Sequence, residues 1–379
     1  MRVVCAPNAF KGTLTAAAAA AAMAAGVRRT LPDAEILEIP VADGGDGTLD
    51  VLLVPAGRDA RVDQVRVTGP LGDPVTARLG WVAPGVAVVE LAEGSGLRLL
   101  GRAPTPGDAL RATSRGAGEM VRRALDGHAQ RVLVGVGGSA STDGGAGLLA
   151  ALGVALLDAA SKPLPDGGGS LTGLATVDPS GLHDRLRGTV VEVAIDTTTP
   201  LLGSSGAAAV YGPQKGADPP TVAILERGLA RLASVAGPAL GADASLAARP
   251  GSGAAGGAAW GLAALGAQLV GGAALVCDTV RLDAALAGAT LVLTGEGRLD
   301  ASTATGKAPL EVLRRARAAG VPCVAVAGRI GPGAPSGWSV TIALEELARP
   351  RGLDPERAAA DLIEEAAAQA LATLALRPR

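Results

Sequence analysis

Three lysines and six carboxylates of this chain fall in short glycine-rich stretches, where backbone and side chain together can close on a small charged ligand. Lys11 sits in "PNAFKGT" (7–13), Lys215 in "YGPQKGA" (211–217) and Lys307 in "TGEGRLDASTATGKAP" (294–309). The carboxylates are Asp43 and Asp46 of "ADGGDGT" (42–48), Asp143 of "GVGGSASTDGGAG" (135–147), Asp196 of "AIDTTTP" (194–200), and Glu296 and Asp300 of the 294–309 stretch. Glycine lets backbone approach a ligand closely, and free amides at a helix start attract anions. Hard carboxylates hold Mg2+ directly or through water. Each stretch taken alone also fits plain turn chemistry: a solvated lysine, or an aspartate capping the next helix. Together they suit phosphoryl transfer, which needs positioning and charge neutralisation more than covalent chemistry. Mg2+ would bridge nucleotide phosphates, lysines would take the developing charge, and one carboxylate would accept the attacking hydroxyl's proton.

Other chemistries find less support. Cys5, Cys277 and Cys323 are far apart, no CxxC pair exists, and His128 and His183 are the only histidines. That composition disfavours a thiolate or imidazole metal site, and the cysteines read as small buried apolar residues. The 135–147 loop is not GxGxxG in the dinucleotide register and no acidic ribose residue follows it, which disfavours a Rossmann NAD site. Nor is the 294–309 stretch a Walker A loop: Ala301 takes the first glycine position and Ala308 follows the lysine. Backbone amides and a lysine at a helix start could still cradle phosphate by the same physics. A net charge of −2 and 1% aromatic residues argue against nucleic acid as a partner. No apolar run is long enough for a membrane span. An odd cysteine count with no export signal points to the cytoplasm.

The elements that must position these loops alternate strand and helix. "RVVCA" (2–6) reads as a buried strand, and the alanine run after it as a helix over 15–25, with Thr15 as N-cap and Gly26 as C-terminal cap. A strand before the alanines argues against a leader peptide. "AEILEIP" (34–40) reads as a second strand. From about residue 60 the texture shifts to alternating polar and apolar residues around Gly-Pro turns, predicting antiparallel strands through "GVAVVELAEGSGL". The strand–helix rhythm returns late, with "ATLVLTGEG" as a strand running into a loop. A length of 379 residues favours two domains. The expected arrangement is an α/β domain from 1–75 and 285–379, with a mixed α/β domain, 76–284, inserted. A sequential two-domain split is the alternative.

"APNAFKGTLTA", "PVADGGDGT", "VTGPLG", "GGSASTDGG", "YGPQKGA", "PGSGAAGG" and "TGEGRLDASTATGKAP" occur in the order seen in the bacterial glycerate kinase family, which the chain resembles from about residue 3 to about residue 330. The resemblance implies ATP-dependent phosphorylation of D-glycerate, usually to 2-phosphoglycerate. It also implies a flavodoxin-like parallel-sheet domain joined to a second α/β domain, with the active site in the interdomain cleft. Asn8 and Ala9 stand where the family often has Asp-Ser, Asp46 where Glu is frequent, and Thr142 and Thr199 where Asn is frequent. These exchanges keep polarity and bear on substrate geometry more than on the reaction.

Within that reading, Lys11 is the expected partner of the glycerate carboxylate, with Arg298, Asn8 and Glu296 as further substrate contacts. Asp196 is the expected general base or Mg2+ organiser, with Asp43 next and Asp46 as a second metal ligand. Gly137, Gly138, Ser139, Ser141, Thr142, Asp143 and Lys307 would hold ATP phosphates, and Lys215 would stabilise the transferred phosphoryl group. The expected partners are ATP and glycerate, on a monomer or homodimer. A kinase for another small hydroxy acid and a non-catalytic hydroxy-acid sensor are the alternatives; carboxylates around an anion argue against the sensor.

Overall fold

The computed structural model describes residues 1–375. The chain divides into two compact units. The first comprises Met1–Asp43, Asp50–Pro55 and Gly271–Arg379, and the second Gly44–Leu49 and Ala56–Val270.

The chain opens with β1 (Arg2–Cys5) and β2 (Glu35–Glu38) in the first unit. The second unit contains β3 (Arg61–Thr68), β4 (Pro74–Ala83), β5 (Val86–Glu90), β6 (Arg131–Gly135), β7 (Ala155–Leu157), β8 (Thr176–Asp178) and β9 (Val190–Ile195); β10 (Gln268–Gly271) lies at its end. β11 (Leu291–Leu299), β12 (Cys323–Ile330) and β13 (Val340–Ala343) return to the first unit.

The first unit's sheet has the order β13-β12-β11-β1-β2, with parallel pairing throughout. Counted within the unit, that is 2-1-3-4-5, the flavodoxin-like order, whose topological switch lies between β1 and β11. β1 is apolar and buried, as a strand covered on both faces must be. The alanine-rich segment forms helix Ala16–Thr30, with Thr15 Oγ1 accepting from the Ala18 amide at 3.1 Å as the expected N-cap. Gly26 is not its C-terminal cap: the helix runs four residues further. Gly26 is the point where helix Ala359–Thr373 comes closest, and a Cβ there would lie 2.1 Å from the Glu364 carbonyl. The alanines make the two helices slim enough to pack backbone to backbone on the sheet.

The second unit is built on a six-stranded mixed sheet, β10-β9-β6-β5-β4-β3. β3, β4 and β5 are antiparallel, whereas β5, β6 and β9 are parallel neighbours. The expected antiparallel run therefore ends at Glu90, and Leu91–Ser95 is a short helix. The unit boundary also falls earlier than residue 75, because β3 pairs with β4 along its whole length and so belongs with the second sheet. It falls earlier than 285 on the return, because buried Arg315 ties the segment after β10 to helix Ala308–Ala318 of the first unit. Its guanidinium is 2.7 Å from Asp278, 3.0 Å from Asp283 and 2.7 Å from Glu311.

Cys5, Cys277 and Cys323 are buried free thiols, each pushed up to about 12 chiefly by burial. Among the described residues, no helix is long and apolar enough to cross a membrane.

Candidate active site

The candidate residues fall into two groups, one on each unit. On the first unit they gather where the sheet order reverses, at the carboxyl ends of β1 and β11, where open parallel sheets bind ligands. A cavity of about 280 Å³ there is lined by Lys11, Glu296, Arg298, Lys307, Arg329 and Glu345, among others. β11 does not stop at the expected loop. It continues through Leu299, paired with β12 as far as Ile330, so Glu296 and Arg298 are strand residues two apart on one face. The same register sets Arg329 beside Arg298.

Lys11 and Arg329 are exposed, and their side chains have no hydrogen-bond or ion-pair partner among the described residues. Lys307 precedes helix Ala308–Ala318 and bonds Ser302 Oγ at 2.9 Å. Arg298 pairs with Asp300 at 2.6 Å. Glu296 is buried and accepts from Thr303 Oγ1 at 2.6 Å. Burial raises its pKa, with Asp43 adding to the rise and Thr303, Lys307 and Lys11 opposing it. Asp43 is buried and accepts from Asn8 Nδ2 at 3.2 Å, while the Asn8 amide is held by the Gly295 carbonyl at 2.8 Å. The pocket thus offers four cations, Lys11, Arg298, Lys307 and Arg329, beside the carboxyls of Glu296 and Glu345, a setting for a small anion.

On the second unit, β6 delivers the glycine loop and β9 delivers Asp196, from adjacent parallel strands in the register Gly135↔Ala194. The 44–47 loop lies beside them, with the Gly137 amide donating to the Gly44 carbonyl at 3.4 Å. Gly138 has φ +69, and a Cβ there would come within 2.6 Å of Asp46 Oδ1, so the loop needs glycine at this point. Asp46, Gly138 and Asp196 are exposed.

The rest of the loop turns inward, away from the expected phosphate contact. Ser141 and Thr142 are buried, and their hydroxyls have no protein partner among the described residues. Asp143 is wholly buried and accepts four bonds: from the Ser114 amide at 2.9 Å, Ser114 Oγ at 2.8 Å, the Gly145 amide at 3.1 Å and the Gly147 amide at 3.2 Å. Lys215 is also enclosed, at 3% exposure, and its ammonium donates to Ser139 Oγ at 2.7 Å and to the Ser141 carbonyl at 2.6 Å. Both residues hold the loop from within, which leaves Gly137, Gly138 and the edge of Ser139 as its open face.

Burial pushes the Lys215 pKa down to about 7, with Asp143 opposing. Between about pH 7 and about pH 10.5 the unfolded chain binds a proton at this lysine that the folded chain does not. Stability therefore rises with pH across that window, and below pH 7 the folded state carries the full cost of the buried charge. Thermal melts from pH 6.5 to 10 should show this rise in the wild type and its loss in Lys215→Met; parallel curves would refute it.

A model of the glycerate kinase family matches residues 3–375. The chain belongs to the glycerate kinase family. Among members of the family, it is 43% identical over 335 residues to the glycerate kinase of Bacillus subtilis (strain 168), covering 87% of this chain and 85% of that one. It is 41% identical over 332 residues to the glycerate 2-kinase of Escherichia coli (strain K12), covering 87% and 86%. A crystal structure of a protein provisionally named glycerate kinase 2, from Salmonella typhimurium LT2, superposes with a TM-score of 0.84 at 38% identity, over 99% of this chain and 98% of that one.

Mg2+ is an expected companion of a kinase reaction, and the carboxylates suit it. Among the described residues, no group of three His, Cys, Asp or Glu forms a ready-made cage. Hard, exposed carboxylates such as Asp46 and Asp196 fit an ion that takes one or two protein ligands and completes its shell with water and phosphate. Arg329 and Glu345 were not singled out in the sequence. Arg329 stands at a strand end after "VAVAG", and only its pairing with Arg298 brings it to the pocket.

Proposed function

We propose that this member of the glycerate kinase family transfers the γ-phosphoryl group of ATP to a hydroxyl of D-glycerate, with the 2-hydroxyl favoured. The observation that carries the reading is the small cation-lined pocket at the β1/β11 switch, whose size and charge suit a three-carbon hydroxy acid better than a sugar or a peptide. The name of the Escherichia coli relative supports the 2-position. ATP as donor and three buried free thiols fit a cytoplasmic setting.

In this reaction the substrate hydroxyl oxygen attacks the γ-phosphorus, the bond from that phosphorus to the β–γ bridging oxygen breaks, and ADP leaves with the electron pair. Asp196 accepts the hydroxyl proton. Lys11, exposed and unpaired, neutralises the glycerate carboxylate, with Arg298 as the second cation. Asn8 and Glu296 hold substrate hydroxyls, and Asp43 orients Asn8 through their hydrogen bond. Gly137, Gly138 and Ser139 offer backbone and hydroxyl to ATP phosphates, and Lys307 adds charge. Lys215 acts at one remove, by holding Ser139. Asp46 and Asp196 would hold Mg2+, which when bound neutralises phosphate charge.

Purified protein given D-glycerate, ATP and Mg2+ should release ADP, and phosphorus NMR of the product should report 2-phosphoglycerate. Turnover of another hydroxy acid in preference would move the reading to a different substrate. Saturable binding with no ADP would make the protein a sensor. Lys11→Ala should raise the KM for glycerate about 10- to 100-fold, as expected for loss of one charge-assisted hydrogen bond, and leave kcat within about threefold. Steady-state kinetics at saturating ATP would check this; an unchanged KM would remove Lys11 from the substrate.

A further inference from the structure

Asp196 stands one residue beyond the end of β9. The turn that follows it carries a ring of three hydroxyls. Tyr211 Oη donates to Thr197 Oγ1 at 2.8 Å and lies 3.2 Å from Thr199 Oγ1. The two threonine hydroxyls are 3.0 Å apart, and the Thr199 amide donates to Thr197 Oγ1 at 3.2 Å. On the backbone, the Gly253 amide donates to the Thr199 carbonyl at 3.0 Å.

Tyr211, the chain's single tyrosine, closes the short helix Ala207–Tyr211. One tight turn follows directly. The Lys215 amide donates to the Gly212 carbonyl at 2.9 Å, the Gly216 amide donates to the Pro213 carbonyl at 3.1 Å, and proline restricts the turn further. The turn delivers Lys215, whose ammonium grips Ser139 and Ser141 of the glycine loop. Five consecutive residues, 211–215, are thus bonded to the Asp196 turn at one end and to the glycine loop at the other.

We propose that Tyr211 is a positioning residue, and that segment 211–215 is a brace setting Asp196 in register with Gly137–Ser139. The proposal rests on the reading of Asp196 as the proton acceptor. A displacement of about 1 Å in a reacting group can cost about 100-fold in rate, so two loops leaving separate strands need a common tie. β6 and β9 align their strands but not the residues past their ends. The brace supplies that alignment through the side-chain hydrogen bonds of Tyr211 and Lys215 and the rigid turn between them.

A double-mutant cycle tests it. In the wild-type background Tyr211→Phe should lower kcat about 10- to 30-fold, with both KM values within about twofold. In an Asp196→Asn background the same change should alter the single-turnover rate by less than about twofold, because the hydroxyl acts through a carboxylate that is no longer there. Thr197→Val, which removes the acceptor shared by the ring, should repeat the pattern and serves if Tyr211→Phe does not fold. Equal losses in both backgrounds would show a general structural effect and overturn the brace, as would wild-type kcat in both ring variants. Near-wild-type turnover of Asp196→Asn alone overturns the proton-acceptor reading, and is seen before any ring variant is made.

Discussion

Asp196→Asn should lower kcat about 1,000-fold, within the range for removing a positioned general base, while KM for ATP and glycerate stays within a few-fold. The substitution keeps the shape of the side chain and removes its charge and its ability to take a proton. Asp196 is exposed at a strand end, so the fold should tolerate the amide and Tm should move by no more than about 2 °C. The physical case rests on the adjacent parallel strands β6 and β9, which bring the carboxylate and the glycine loop out at the same, carboxyl end of the sheet. Coupled ADP-release kinetics would measure the loss, and circular dichroism would show that the protein is folded. A folded variant within threefold of wild type would sink the assignment. Glu296, whose carboxyl is buried and raised in pKa, would then be the next acid–base group to test by Glu296→Gln.

Asp143→Ala should be the most destabilising single change among the candidate residues, by roughly 3–5 kcal/mol, as expected when several buried donors lose their acceptor at about 1–3 kcal/mol each. The carboxylate satisfies four donors, two of them amides at the start of helix Ala146–Ala151, and is the one charge that opposes the burial cost of Lys215. Alanine would leave those donors dry and the lysine uncompensated. For a unit of this size such a loss lowers the melting transition by about 10–15 °C. Asp143→Asn should fall between the two, since it keeps an acceptor. Differential scanning calorimetry would record the shift. An alanine variant melting within about 2 °C of wild type would show that the loop does not depend on this residue, and would return Asp143 to the nucleotide.

The second prediction comes from a stretch of sequence that reads differently in space. "GGSASTDGG" advertises amides, hydroxyls and a carboxylate beside glycines, and its residue types fit a phosphate cradle throughout. The structure divides it, with Gly137 half-buried and Gly138 exposed, while Ser139 and Ser141 to Asp143 are buried. Nothing local distinguishes the two halves. Their burial comes from segments more than twenty residues away in the chain, Ser114 before and Lys215 after, whose contacts a linear reading does not see.

The sequence by itself determined the chemistry on offer. Strand–loop–helix rhythm and glycine placement mark where ligand-facing loops begin, because side-chain periodicity and backbone freedom are local properties. The ordered motifs are those of the glycerate kinase family. The tertiary structure alone decided which of these groups are exposed and which are enclosed. Parallel pairing of β11 with β12 turned an expected loop into strand, set Glu296 and Arg298 on one face and brought Arg329 beside them. Pairing of β3 with β4 moved the unit boundary. Enclosure of Lys215 seats its ammonium on Ser139 and on the Ser141 carbonyl, inside the loop. Each of these outcomes depends on contacts between residues distant in the chain, and burial, register and charge environment are properties of such contacts rather than of residue type.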